Sequence, residues 1–185
     1  MTWAAKSSAK LVKPVVRQLM ALIQRDQRAA LDVAGGIIKP AAGYLPDIVN
    51  YAFARVEIKQ FPGVLLTPLG TAFDEDEDGT VHQFIKIACV VAVQHQDPEV
   101  LAELLEDYML AVYLLFEAIG PADWPAALTL THRKFTGGAM TTAGVPAGKV
   151  KKLFVNSHDY SEIRGLRDGF VMAGPMDLTV ELEET

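Results

Sequence analysis

The densest run of reactive side chains is FDEDEDGTVHQFI, Phe73–Ile85. Asp74, Asp76 and Asp78 alternate and Gly79 follows, which is how a helix–loop–helix calcium site opens. Counted from Asp74, such a loop needs oxygen ligands at positions 1, 3, 5, 7 and 9 and a bidentate carboxylate at 12. Thr80 can offer a carbonyl, but position 9 is His82, a poor calcium ligand, and position 12 is Ile85. The flanks also disagree: Pro68 and Gly70 precede the run and a β-branched stretch follows it. Asp78-Gly79 is instead a hairpin-turn signal. Five consecutive carboxylates, Asp74, Glu75, Asp76, Glu77 and Asp78, repel one another and keep such a tip extended and solvated. Asp74, Asp76 and Asp78 are the candidate metal ligands by residue type. The pattern itself favours a charged hairpin, with no metal and no cofactor.

Other chemistry is thinner. GVPAGKV (Gly144–Val150) has three residues, not four, between its first glycine and Gly-Lys, and Val150 stands where a phosphate loop needs Ser or Thr. It reads as a loop running into the basic cluster Lys149, Lys151 and Lys152. His82, His95, His132 and His158 show no zinc spacing. Cys89, the single cysteine, lies in an apolar run and reads as packing rather than a nucleophile. His158-Asp159 with Glu162 offers an acid–base pair on paper, but polar turn residues are the plainer reading. No catalytic residues are expected, and no enzyme.

Composition bounds what these residues can belong to. Half of the 185 residues are apolar, enough for one domain with a proper core. No apolar run approaches the roughly 20 residues that cross a bilayer, and the basic N-terminus lacks an apolar leader segment, so neither membrane nor secretion is expected. One cysteine fits a reducing cytoplasm. The net charge of −6 is uneven. Residues 1–39 carry seven Lys/Arg against two Asp, and the rest carries ten Lys/Arg against twenty-one acids. A solvated basic helix face accounts for the first part.

The elements follow from periodicity. Residues 1–9 show none and form an extended or disordered arm, with one domain over 10–185. Lys10–Asp32 has helical spacing, with Pro14 in the first turn and Gly35-Gly36 as the stop. A short helix is expected from Asp47 to Ala54. FPGVLLTP, Phe61–Pro68, reads as a strand near an edge. Val81–Gln96 alternates and then becomes apolar on both faces, which predicts a long central strand buried on both sides. Asp97-Pro98-Glu99 starts a helix with a core stripe of Leu101, Leu104, Leu105, Tyr108, Val112, Leu115, Phe116 and Ile119. Tyr108–Phe116 carries no charge, so that half needs a second partner, either the first helix or another subunit. Strands are expected near Leu128–Phe135, over Lys151–Tyr160 and over Met176–Glu183, with a flexible Gly/Ala/Thr loop at 136–148. The fold class is α+β: a mostly antiparallel sheet packed by two main helices, with an extended acidic hairpin.

Three stretches in this order, Phe61-Pro62-Gly63-Val64, the Asp97-Pro98-Glu99 start and Tyr160–Glu184 with its acidic strand, resemble the tail-terminator and tail-completion proteins of long-tailed bacteriophages. The similarity spans roughly residues 55 to 184; the 136–148 segment and the acidic tip depart from it. The resemblance implies a structural virion protein, made in the host cytoplasm, that forms a ring, a hexamer by expectation. Such a ring caps the tail tube protein and docks to the head–tail connector. Genomic DNA would pass through without sequence-specific binding, and an acidic channel suits that passage because repulsion prevents sticking. On this reading Asp74–Asp78 line the channel or meet a basic patch next door, and Leu110, Tyr113 and Leu114 are candidates for the subunit interface. The alternatives are a head-completion or connector protein of the same neck and, from another class, a small calcium-binding module using the Asp74–Gly79 loop.

Overall fold

The computed structural model describes residues 11–38, 44–53, 58, 60–136 and 139–184, with 37–38, 129–147 and 184 described by backbone alone. The strand predicted from two-sided apolarity is the centre of the sheet. Strand β3 (Val81–His95) lies between β2 (Gly63–Glu75) and β7 (Gly169–Glu184), antiparallel to both. Beyond β7 come β5 (Ala139–His158) and β4 (Leu128–Thr136), and beyond β2 comes β1 (Asn50–Phe53), which is parallel to it. The order is β1-β2-β3-β7-β5-β4, and β6 (Arg164–Leu166) closes a short hairpin with the start of β7. With helices α1 (Val12–Ile38) and α2 (Pro98–Ala118) the architecture is α+β, as expected.

Both helices cover the same face of the sheet. Ile85, Ile87, Cys89, Val91 and Val93 of β3 are buried beneath them with Leu178, Val180 and Leu182 of β7. The opposite face is open: Phe84, Ala88 and Val90 are half-buried and Lys86 is exposed. Burial on both sides therefore holds only in part, because α1 and α2 pack against each other instead of on opposite faces. Gln83 lies on the covered face, fully buried, and neither atom of its amide has a hydrogen-bond partner among the described residues.

Helix α2 starts as its residues dictate. Asp97 Oδ1 accepts from the Glu99 N–H at 2.9 Å, and Pro98 takes the first position, where no N–H is needed. Such a cap contributes on the order of 1 kcal/mol. Six of the eight predicted stripe residues are buried, and Leu104 and Ile119 are half-buried. Helix α1 runs through Gly35-Gly36 to Ile38, past the expected stop. An interior glycine costs a helix about 1 kcal/mol, and here Gly35 is buried against Tyr44 and Leu45.

The helix expected at Asp47–Ala54 does not form. Inside it the Ile48 N–H donates to Gln27 Oε1 at 2.8 Å and the Val49 N–H to Pro62 O at 3.0 Å, and just ahead of it Arg28 Nη1 donates to Leu45 O at 2.9 Å and Tyr108 Oη to Pro46 O at 2.6 Å. Asn50–Phe53 then pairs with β2. The predicted loop at 136–148 is likewise corrected. Residues 139–148 form the first half of β5 and pair with β4, since ladder bonds need only backbone and the threonines and Val145 suit a strand. Strand β7 begins seven residues before the predicted Met176, running through Pro175. The regular ladder with β5 ends at Met176: the Asp159 N–H donates to Pro175 O, but Pro175 has no N–H to return, and the next bond runs from the Ser161 N–H to Ala173 O. The predicted arm at 1–9 lies outside the described residues.

Candidate functional site

The acidic tip is a β-hairpin. β2 extends through Asp74 and Glu75, and the turn closes by Asp76 N to Thr80 O and Gly79 N to Asp76 O, both 2.9 Å. Gly79 has φ +81°, the left-handed conformation that an Asp-Gly turn uses. The carboxylates diverge. Asp74 Oδ1 accepts from Glu75 N at 3.0 Å, Asp78 Oδ1 accepts from Thr80 N at 3.1 Å, and Asp76 turns to His82. Among the described residues no group of three or more His, Cys, Asp or Glu is placed to hold a metal, so Asp74, Asp76 and Asp78 are not brought together as ligands.

Instead the tip is tied to the far strand. His82 Nε2 lies 2.9 Å from Asp76 Oδ2, and Nδ1 lies 3.2 Å from Glu181 Oε1 on β7. Burial of the ring pushes its pKa down, but the hydrogen bonds and charges of Asp76 and then Glu181 prevail and hold it above the ordinary value. A folded-state pKa above the unfolded one gives stability that is present below the unfolded pKa and lost as pH rises through the raised one. Nuclear magnetic resonance titration should therefore place the His82 transition above about 6.5, and Asp76→Asn with Glu181→Gln should bring it back down. The stability gap between wild type and His82→Gln should be larger at pH 6 than at pH 8.5; an equal gap at both pH values would show that the bridge does not form.

The second surface is on α2. Tyr108, Met109, Ala111, Val112, Leu115 and Phe116 are buried beneath the uncharged half of the helix, so α1 and the sheet take most of that stretch. The three interface candidates are what remains: Leu110 and Leu114 are half-buried and Tyr113 is 37% exposed. Two shallow grooves flank them. One, of about 270 Å³, lies between Leu110, Tyr113, Met109, His158 and Tyr160. The other, of about 290 Å³, lies between Leu114, Ala118, Ala29 and Val33. Val33 and Tyr160, both exposed, extend the apolar strip on either side. Sequence reasoning found the strip through its missing charges. It did not find Val33 or Tyr160, which join it only through the fold.

Of the enzyme-like candidates, His158 lines the first of these grooves and Cys89 lies in the core. Cys89 is fully buried and burial pushes its thiol up to about 12, the opposite of an activated nucleophile. Asp159 Oδ1 accepts from Tyr160 N at 2.8 Å, while the His158 ring packs edge-on to Tyr160 with centroids 6.1 Å apart.

No family model matches the chain, and no curated protein matches it. Among solved structures, a chain of the virion of native gene transfer agent (GTA) particle is similar at 11% identity and TM-score 0.36, covering 86% of this chain and 90% of that one. That likeness is too distant to bear on role.

Proposed function

We propose that the chain is a structural virion protein of a bacteriophage tail, a ring-forming subunit that terminates the tail tube and meets the head–tail connector. The observation that carries the reading is the place each resembling stretch takes in the fold. Phe61–Val64 leads into β2, Asp97-Pro98-Glu99 caps α2, and Tyr160–Glu184 supplies β6 and β7. These are the strands and helix that carry the two surfaces just described. The apolar strip on α2 supports subunit contact, since exposed apolar patches rimmed by polar residues mark interaction sites. The solvated carboxylates of Asp74–Asp78 suit a channel for DNA or a basic neighbour. On this reading the chain has no chemistry of its own.

The test is native mass spectrometry of the full-length chain with and without millimolar calcium. A hexamer-sized assembly without metal is the expected result. A monomer that takes up one calcium per chain would overturn the reading and move the function to the Asp74–Gly79 loop.

A further inference from the structure

The β4–β5 hairpin outruns the sheet that holds it. β5 meets β7 only from Gly148 to His158, while Ala139–Ala147 pairs with β4 alone. Thr129–Thr136 of β4 and Ala139–Ala147 of β5, about 27–30 Å at roughly 3.4 Å per residue, therefore project past the end of β7. Leu128 and Gly148 anchor the base: the first is buried, and the second leaves no room for a Cβ, which would come 3.0 Å from the Leu11 side chain just ahead of α1. A lone two-stranded hairpin is marginal in water and needs a third strand or a packed face.

On the other side of the sheet an edge is open. β1 covers β2 only from Gly63 to Leu66. After the irregularity between Pro68 and Gly70, residues Gly70–Glu75 pair regularly with β3, and no strand among the described residues meets their outer edge. Phe73 on this edge is 50% exposed. The charges of the two regions are complementary. The arm, residues 128–148, holds Arg133 and Lys134 and no acid, with Lys149 just past its base, while residues 60–80 hold five acids and no Lys/Arg.

We propose that the β4–β5 arm of one copy lies along the Gly70–Glu75 edge of a second copy, bringing Arg133 and Lys134 toward Asp74 and Glu75. The contact cannot form within one chain, because β2 and β4 are four strand spacings apart, about 19 Å. Arm and edge are different patches, so the contact is head-to-tail: it closes into a ring if the rotation per step allows and otherwise continues as a filament. The inference rests on the self-association in the reading above, and not on the virion role.

The experiment mixes ¹⁴N- and ¹⁵N-labelled full-length chains, couples amines to carboxylates with a carbodiimide, and identifies mixed-isotope peptides. Links from Lys134 or Lys149 to Asp74–Asp78 across isotopes are expected. Arg133→Glu with Lys134→Glu should weaken self-association at least tenfold, and mixing that variant with Asp74→Lys/Glu75→Lys should restore it. Links confined to one isotope, none at all, or self-association indifferent to both reversals would overturn the proposal. Mixed-isotope links in a chain absent from purified particles would retain the contact and sink the virion reading. A chain present in particles without such links would do the reverse.

Discussion

Tyr113→Glu combined with Leu110→Glu should leave the fold intact and abolish self-association. Tyr113 is 37% exposed, and Leu110 is half-buried where it packs against the rim of the core. A substitution at an exposed position such as Tyr113 ordinarily changes stability by only about 0.5 kcal/mol, a degree or two in Tm for a chain of this size, and a carboxylate at Leu110 adds on the order of 1 kcal/mol, which still leaves the chain folded. Contact is another matter. An aromatic anchor at the centre of an interface costs about 2 kcal/mol or more when truncated, and 1.4 kcal/mol is a factor of ten. A carboxylate facing the grooves beside Met109 and Leu114 adds desolvation to that loss. Native mass and a melting curve on the same sample separate the effects. A hexamer-sized species that survives the double substitution would remove α2 from the interface, leaving the arm and the β2 edge to carry it.

The second large effect is structural. Gly169→Val should destabilise the chain by about 2–4 kcal/mol, seen as a fall in Tm of roughly 5–15 °C. Gly169 has φ +133°, where β-branched residues are strained, and a Cβ there would lie 2.8 Å from His95 O. That neighbour is backbone at the end of β3 and cannot swing aside. Gly79→Asn is the comparison. Gly79 also has positive φ, at +81°, but its Cβ would meet nothing within 4 Å, and asparagine tolerates the left-handed region. Its cost should stay below about 1 kcal/mol. Similar losses at both sites would mean that φ alone, and not the approach of His95, decides the outcome.

What could be read from the residues was local. The Asp97 cap, the α2 stripe and the alternation of β3 and β7 each depend on neighbours within a few positions, and each formed. The segment from Asp47 to Ala54 was misread because Gln27 holds the Ile48 N–H and Arg28 and Tyr108 hold the carbonyls just before it, and none of the three is near it in sequence. β4 was legible near Leu128–Phe135, but the first half of β5 was hidden by its own composition, since Gly, Ala and Thr give no apolar alternation to count. At the acidic tip, the turn at Asp78-Gly79 was legible and the His82 bridge was not. Its second carboxylate, Glu181, comes 99 residues later.

The position of β7 has a consequence for how the chain is made. It follows every other strand in chain order, yet it sits between β3 and β5 at the middle of the sheet. While the ribosome is still translating the segment before Gly169, β3 is free to pair with β2, but its other edge, through Ala88 to Val93, has no strand to meet. The β4–β5 hairpin, made earlier, has no sheet to attach to. A nascent chain therefore carries an apolar, unpaired strand for the time needed to synthesise more than seventy residues, about 4–15 seconds at 5–20 residues per second.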